Sequence, residues 1–263
     1  MNKTLNGLLV LAVLNMFFLS NIVQADVKSN VLKAHKAKKK VSIDGMGDEE
    51  SWALATWLPL DQLILGSKPT EQDFSGQFKI LWDERQLYLL VEITDDVLFD
   101  QHANPLHFYW DDDCLEVFID EDASGGNHQF NFNAFAYHIA LDNQVVDIGL
   151  NNIDGSANFV LLDDHINSVW RRSATKPNKM IWEVAVSVFD DNFTLSSVAN
   201  ISPQQPVQLT LGKVMGFMLA YCDNDGSIER ESFIGSTDIK AINGNKNLGY
   251  ITADVFQKLK LIQ

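Results

Sequence analysis

Apolar residues recur at every second position over much of this chain. From Cys114 to Asp120, Leu115, Val117 and Ile119 fall on one face of a strand, and Cys114, Glu116, Phe118 and Asp120 on the other. The same period runs through Leu87, Leu89, Val91 and Ile93, and the turn Asp83–Gln86 ties that run to Phe78–Trp82 as an antiparallel hairpin with Trp82 packed inside. A strand is expected over 128–135, where Phe130 and Phe132 alternate with Asn131 and Asn133. Others are expected at 41–45, 145–148, 157–162, 169–172, 179–186, 207–211 and 217–221. Residues 26–40 read as a lead strand whose lysines solvate a sheet edge. Only 48–55 reads as a helix, short and acidic at its start, with Trp52 in the core. Many short strands and almost no helix predict an all-β fold, an antiparallel β-sandwich of jelly-roll or immunoglobulin-like kind with few short helices, over 41–263 as one domain.

Candidate chemistry gathers on the central strand. A carboxylate amid apolar neighbours is costly to desolvate, so Glu116 requires a donor, a cation or a ligand. Trp110 lies just upstream, and a flat ring beside a carboxylate suits a sugar, whose C–H face packs on the ring while its hydroxyls donate to the oxygens. If the strand at 128–135 pairs with the central one, Asn131 and Asn133 stand beside Glu116 as further donors and acceptors. Each reading has a plainer rival: Trp110 as a core plug, Glu116 as half of an ion pair with Arg230 or a lysine, and the two asparagines as solvated positions. Asp223 and Asp225, within Asp223-Asn224-Asp225-Gly226, offer closely spaced oxygens for calcium, with Glu229 and Glu231 nearby, although no twelve-residue calcium loop is present. Asp111, Asp112 and Asp113 read as a solvated loop that could hold a cation.

Charge and processing signals narrow the setting. A lysine at position 3, an apolar run from Leu8 to Leu19 and the small-residue site Val23-Gln24-Ala25 have the form of a secretory signal peptide over 1–25. The run is short for a membrane span, so an exported protein, periplasmic or extracellular, is expected. With 20 basic against 35 acidic side chains the net charge is −15, which disfavours nucleic acid and anionic membranes and favours neutral ligands or cations. The two cysteines, Cys114 and Cys222, lie in apolar strands and read as free buried thiols, although export leaves a bridge between them open.

Ile43-Asp44-Gly45 with Trp52, Leu81-Trp82-Asp83 with Leu87-Tyr88, Trp110 to Asp120, Trp182-Glu183-Val184-Ala185, Asp223-Asn224-Asp225-Gly226 and Asn247-Leu248-Gly249-Tyr250 follow one another along the chain. As an ordered set they resemble the family 9 carbohydrate-binding modules. The resemblance implies a β-sandwich that binds sugars, often the reducing end of plant polysaccharides, between two Trp rings, and that also binds calcium. Carried over, Trp110 resembles the first ring, Glu116 the sugar-binding carboxylate, Asn131 and Asn133 polar ligands on the next strand, and Phe233 the nearest match to the second ring. A non-catalytic binding module for an oligosaccharide or polysaccharide follows, with a separate glycoside hydrolase as candidate partner. Two other classes stand beside it. Related sandwiches bind haem through axial Met and Lys or His, for which Met180, Met215, Met218 and His107 are candidates; these methionines read as core, and no haem is expected. Paired carboxylates could hydrolyse glycosides, but no hydrolase motif accompanies them.

The export signal yields the first prediction: N-terminal sequencing of secreted material begins at Asp26, and a mature chain that retains Met1 would overturn it.

Overall fold

A computed structural model describes residues 31–176, 178–195 and 204–263; the expected signal peptide lies outside them. Strands β1 (Val31–Lys36), β2 (Leu58–Leu60), β3 (Gln62–Gly66), β4 (Phe74–Trp82) and β5 (Leu87–Asp95) precede the central strand β6 (Cys114–Asp120). After it come β7 (Phe135–Ala140), β8 (Val145–Ile148), β9 (Phe159–Leu161), β10 (Ile166–Arg172), β11 (Lys179–Val186), β12 (Val214–Asp223), β13 (Ser232–Gly235) and β14 (Gln257–Ile262). The helices described are single 3-10 turns, Glu50–Leu54 and Tyr109–Asp111 among them. No described helix is long and apolar enough to cross a membrane.

Hydrogen bonds run through the strands in the order β10-β11-β5-β4-β1-β14-β12-β6-β7-β8-β9. This path curls on itself, so that β10, β11, β5 and β4 face β12, β6, β7 and β8 as the two layers of a sandwich. Inner-face residues from both layers fill one core, including Leu89, Val91, Val184, Leu115, Val117, Phe217 and Leu219. Burying each of these side chains is worth about 1.5–3 kcal/mol, before the ordering entropy that opposes it. The β4–β5 hairpin forms as its alternation predicts, because Asp83 Oδ1 accepts the backbone N–H of Arg85 at 2.8 Å and of Gln86 at 3.0 Å and so fixes the turn.

Four expectations need correction. Residues 41–45 form no strand and bend at Asp44 and Gly45. The lysine-rich lead strand is not an edge: β1 lies between β14 and β4, parallel to both, with Ala34 buried and Lys33 turned outward. Residues 128–134 form turns instead of a strand, and the partner of β6 is β7. Residues 207–211 form no strand, although Leu209 is buried and its N–H bonds Glu84 O at 3.0 Å. The central strand also differs from the half-open one its alternation suggests, since all seven residues are buried. Its outer face is covered by a second cluster in which Cys114 and Phe118 meet Met218, Cys222, Phe233 and Leu248. Met180 and Met215 lie in the main core and Met218 in this second cluster, while His107 packs edge-on against Phe108 in a loop.

Several of the sequence pieces that resemble the family meet at one buried side chain. Glu183 on β11 accepts the backbone N–H of Gly45 at 2.8 Å and of Asp44 at 3.1 Å, and Trp52 Nε1 at 3.3 Å. Gly45 is required there: its φ is +76°, and a Cβ would come within 2.9 Å of Arg171 Cγ.

His165 supplies a test of this packing. Its ring stacks on Phe189 with centroids 3.9 Å apart, and Nδ1 is hydrogen-bonded to the Tyr137 hydroxyl at 2.8 Å. Burial pushes the imidazole down to about 4 from the ordinary 6.5. A group held neutral in this way contributes stability above the unfolded value and loses it as pH falls from about 6.5 toward about 4. Urea unfolding should therefore show His165→Gln losing less stability than wild type between neutral pH and pH ~4.5, by on the order of 2 kcal/mol. Equal losses in both would refute the assignment.

Candidate functional site

The turn ahead of β6 determines the site. Asp112 Oδ1 and Oδ2 accept the backbone N–H groups of Gln101 and His102 at 2.9 and 3.0 Å, and Asp113 Oδ2 accepts that of Phe99 at 2.7 Å. Asp113 Oδ1 accepts Asn224 N–H at 2.8 Å, Asn224 Nδ2 donates to Asp111 O at 2.6 Å, and Asp111 Oδ1 accepts Arg230 N–H at 3.2 Å. The three aspartates are thus buried braces, not the solvated loop expected from the sequence. They fasten the 224–230 segment beside β6 and leave the ring of Trp110 partly exposed.

Trp110, Glu116 and Arg230 line one cleft of about 340 Å³, together with Tyr109, His138, Asp147, Phe159, Tyr250, Gln129 and Asn247. A larger and more open groove of about 780 Å³ borders Lys40–Ile43 and residues 205–208, but its one aromatic lining residue, Tyr88, is buried. Strand register sets the cleft's polar wall: His138 on β7 stands opposite Glu116, and Cys222 on β12 stands opposite Cys114. Glu116 is 4% exposed. Its Oε1 accepts the Cys222 thiol at 3.1 Å and Arg230 Nη1 at 3.3 Å, and His138 Nε2 lies 3.1 Å from it. Among the described residues every such contact falls on Oε1, none on Oε2. Burial pushes the Glu116 carboxyl up to about 8 and the His138 imidazole down to about 4, against the opposing pull of Arg230 on the acid and of Glu116 on the imidazole. Asp147, with its carboxylate bonded to Ala136 N–H at 3.0 Å and Ile148 N–H at 2.7 Å, is pushed up to about 7 by burial. Such a wall offers a hydroxyl-rich molecule both donors and acceptors, and Trp110, Phe159 and Tyr250 offer partly exposed apolar surface beside it.

The remaining expected site residues lie elsewhere. Asn131 donates to Asn127 O at 3.2 Å and accepts Asn133 N–H at 2.8 Å, and Asn133 Nδ2 donates to Gly125 O at 2.8 Å. Both amides therefore hold a turn together, because the strand expected to carry them past Glu116 does not form. Phe233 is buried beneath the Arg230 guanidinium, 4.4 Å from its ring centre, and does not line the cleft. The sequence does not single out His138 and Phe159 as site residues, and Tyr250 falls only within the closing Asn247–Tyr250 piece; β7 is apolar on both faces and its alternation does not mark His138.

Asp223 and Asp225 belong to two separate trios. Asp95, Asp113 and Asp223 are buried with oxygens within 4.8 Å of one another, and Asp73, Asp96 and Asp225 form a similar group nearer solvent. Burial and neighbouring carboxylates push Asp223 up to about 8 and Asp113 up to about 9. Asp95 Oδ2 accepts the Tyr221 hydroxyl at 2.6 Å, whereas Oδ1 is buried without a hydrogen bond and has the Arg172 guanidinium 3.7 Å away.

Comparison with known proteins places this geometry in context. The family model described as carbohydrate family 9 binding domain-like matches residues 43–263. Over 90 residues the chain is 32% identical to endo-1,4-beta-xylanase A of Thermotoga neapolitana, covering 34% of this chain and 8% of that enzyme. It is 29% identical over 103 residues to endo-1,4-beta-xylanase C of Paenibacillus barcinonensis, covering 39% and 9%. The matched part is under a tenth of those relatives' length. A family 9 carbohydrate-binding module from Caldicellulosiruptor kristjanssonii in complex with cellotriose superposes with a TM-score of 0.59 at 18% identity, over 88% of this chain and 93% of that one. Its complex with glucose gives the same score and identity over 87% and 95%. At these identities the likeness is one of fold.

Proposed function

The chain belongs to the carbohydrate family 9 binding domain-like family, and on that premise we propose that it is an exported module that binds a neutral oligosaccharide in the Trp110–Glu116 cleft. The family is one of non-catalytic carbohydrate-binding modules. The observation that carries the reading is the shared wall of Trp110 and Glu116, a partly exposed ring beside a carboxylate with one oxygen free of protein donors. A sugar ring packs on Trp110, with Phe159 and Tyr250 as neighbouring surfaces. Its hydroxyls donate to Glu116 Oε2 and exchange hydrogen bonds with Gln129 and Asn247. The β-1,4-linked backbones of glucan and xylan are the first ligands to try, since relatives are named as xylanases and a neighbour was solved with cellotriose. The module serves polysaccharide breakdown and uptake, with a separate glycoside hydrolase making the fragments it retains.

Calcium is proposed for the carboxylate trios, with Asp223 and Asp225 each a member of one. The donors are all hard oxygens, and Asp95 Oδ1, buried without a hydrogen bond and with only the Arg172 guanidinium 3.7 Å away, leaves three carboxylates against one cationic side chain.

Two measurements test these proposals. In calorimetric titration with cellotriose and xylotriose, Trp110→Ala should lose detectable binding while the melting temperature shifts by only a few degrees, since the ring is not in the core. Glu116→Gln should weaken binding roughly ten- to a hundredfold, corresponding to about 1.5–3 kcal/mol. The same change should lower the melting temperature as well, because it takes a buried partner from Arg230. Unchanged affinity in both variants, measured where both are folded, would refute the cleft as the sugar site. For calcium, stability should rise by about 2.7 kcal/mol at a hundredfold excess over the dissociation constant, and Asp223→Asn should abolish most of that gain. Identical melting in chelator and in calcium would eliminate the stabilising site.

A further inference from the structure

The side chains that contact Glu116 form a second constellation of a different chemical kind. Cys114, Glu116, His138 and Cys222 present four donor atoms, two sulfurs, one oxygen and one nitrogen, all within 4.8 Å of one another. All four side chains are buried. They come from three adjacent strands: β6 supplies Cys114 and Glu116 two residues apart on one face, and β7 and β12 supply the residues directly opposite. Rigid strands thus fix the four, with no loop involved. The separations around Glu116 Oε1 are 3.1 Å to Cys222 Sγ and 3.1 Å to His138 Nε2, and the sulfur and nitrogen are 3.9 Å apart. A tetrahedral zinc ion with its usual bond lengths requires edges of about 3.3–3.8 Å between such donors, so small shifts would close the shell.

We propose that Cys114, Glu116, His138 and Cys222 form a binding site for a thiophilic divalent cation, zinc above all, on the outer face of β12, β6 and β7. Two sulfurs and an imidazole select a soft or borderline ion over calcium or magnesium. Charge balances as well. Two thiolates and a carboxylate carry three negative charges, which the ion and the Arg230 guanidinium together offset. Arg230 Nη1 already lies 3.0 Å from Cys222 Sγ, where it would support a ligating thiolate from outside the shell. Phe118, Met218 and Phe233 pack in the same buried cluster as the two cysteines. Both cysteines are unbridged, as metal ligation requires. The site shares Glu116 and His138 with the sugar cleft, but the two cysteines do not line it, so readouts on the sulfurs test this inference apart from sugar binding.

Cobalt reports the site directly. The full chain, reduced with a phosphine and titrated with Co²⁺, should develop the intense visible bands of tetrahedral cobalt and a near-ultraviolet thiolate-to-cobalt charge-transfer band. Both should saturate at one equivalent and vanish when one equivalent of Zn²⁺ is added. Cys114→Ser with Cys222→Ser should remove the charge-transfer band, and Asp223→Asn should leave it intact. In wild type Zn²⁺, but not Ca²⁺, should slow alkylation of both cysteines, a readout that does not require the variants to fold. Absence of the charge-transfer band in the reduced wild type, its persistence in the double variant, or alkylation unaffected by Zn²⁺ would overturn the proposal. A chain isolated two hydrogens lighter, which after reduction still gives no band, would assign the pair to a disulfide instead.

Discussion

The structure depends on how it accommodates one carboxylate in the middle of a strand that is buried on both faces. Moving an ionised carboxyl out of water costs several kcal/mol even after the protein relaxes, so Glu116 is tolerable on β6 only if its charge is met or withdrawn. Here both responses operate. Arg230 approaches Oε1, the Cys222 thiol adds a hydrogen bond with the His138 ring close by, and burial raises the carboxyl toward its neutral form. The arginine cannot reach this point without the 224–230 segment, and that segment is held by Asp111 and Asp113. The aspartates immediately before the strand therefore fix the partner of the glutamate within it. That chain of dependence also fixes the orientation of Trp110, which lies in the same braced turn.

Arg230 matters for the same reason. Its guanidinium is covered by Phe233 on one side and bonded to Cys222 and Glu116 on the other, so its side chain is only 10% exposed against 5% for the acid it serves. A pair of this kind contributes little net stability against a well-packed apolar alternative, yet losing either member leaves an uncompensated charge. Its value lies in specificity of position, since it forces one arrangement of cleft wall, strand register and loop. Phe233, which resembled a sugar-stacking ring in the sequence, serves instead as the platform on which that charge rests.

The sequence made most strands legible because period-two alternation is a property of any strand with one covered face. The β4–β5 hairpin, β6, β8, β10 and β11 were all readable, and the sandwich class with them. Where both faces are covered, the same signal misleads. β7 reads Phe135-Ala136-Tyr137-His138-Ile139-Ala140, apolar on both sides, while the preceding Phe130-Asn131-Phe132-Asn133 alternates better and is a turn. Phe132 is buried against Phe135 and Phe193 there without any ladder hydrogen bonds. Choosing the better alternation moved the expected partner of Glu116 from His138 to two asparagines. β1 misled for another reason, because lysines flanking a short strand suggested an edge, yet parallel pairing on both sides leaves only alternate side chains exposed. Such long-range pairing has no local signature.

Placement of acidic residues then explains why a chain with a net charge of −15 can carry two different polar sites a few residues apart. Asp113 and Glu116 bracket the start of β6 with an odd spacing, so they point to opposite faces. Asp113 joins the buried trio with Asp95 and Asp223, where hard oxygens crowd and only partial relief comes from backbone N–H groups, Tyr221 and the Arg172 guanidinium. Glu116 faces sulfur, imidazole and guanidinium at the base of a cleft lined with rings. One site sets three carboxylates against a single guanidinium, that of Arg172, and the other already balances its charge within the protein. Neutralising the trio would remove the repulsion acting on Asp113, and Asp113 holds both Phe99 and Asn224, the contacts that brace the Trp110 turn from either side. The rigidity of the ring platform is therefore tied through β6 to whatever compensates the three buried aspartates.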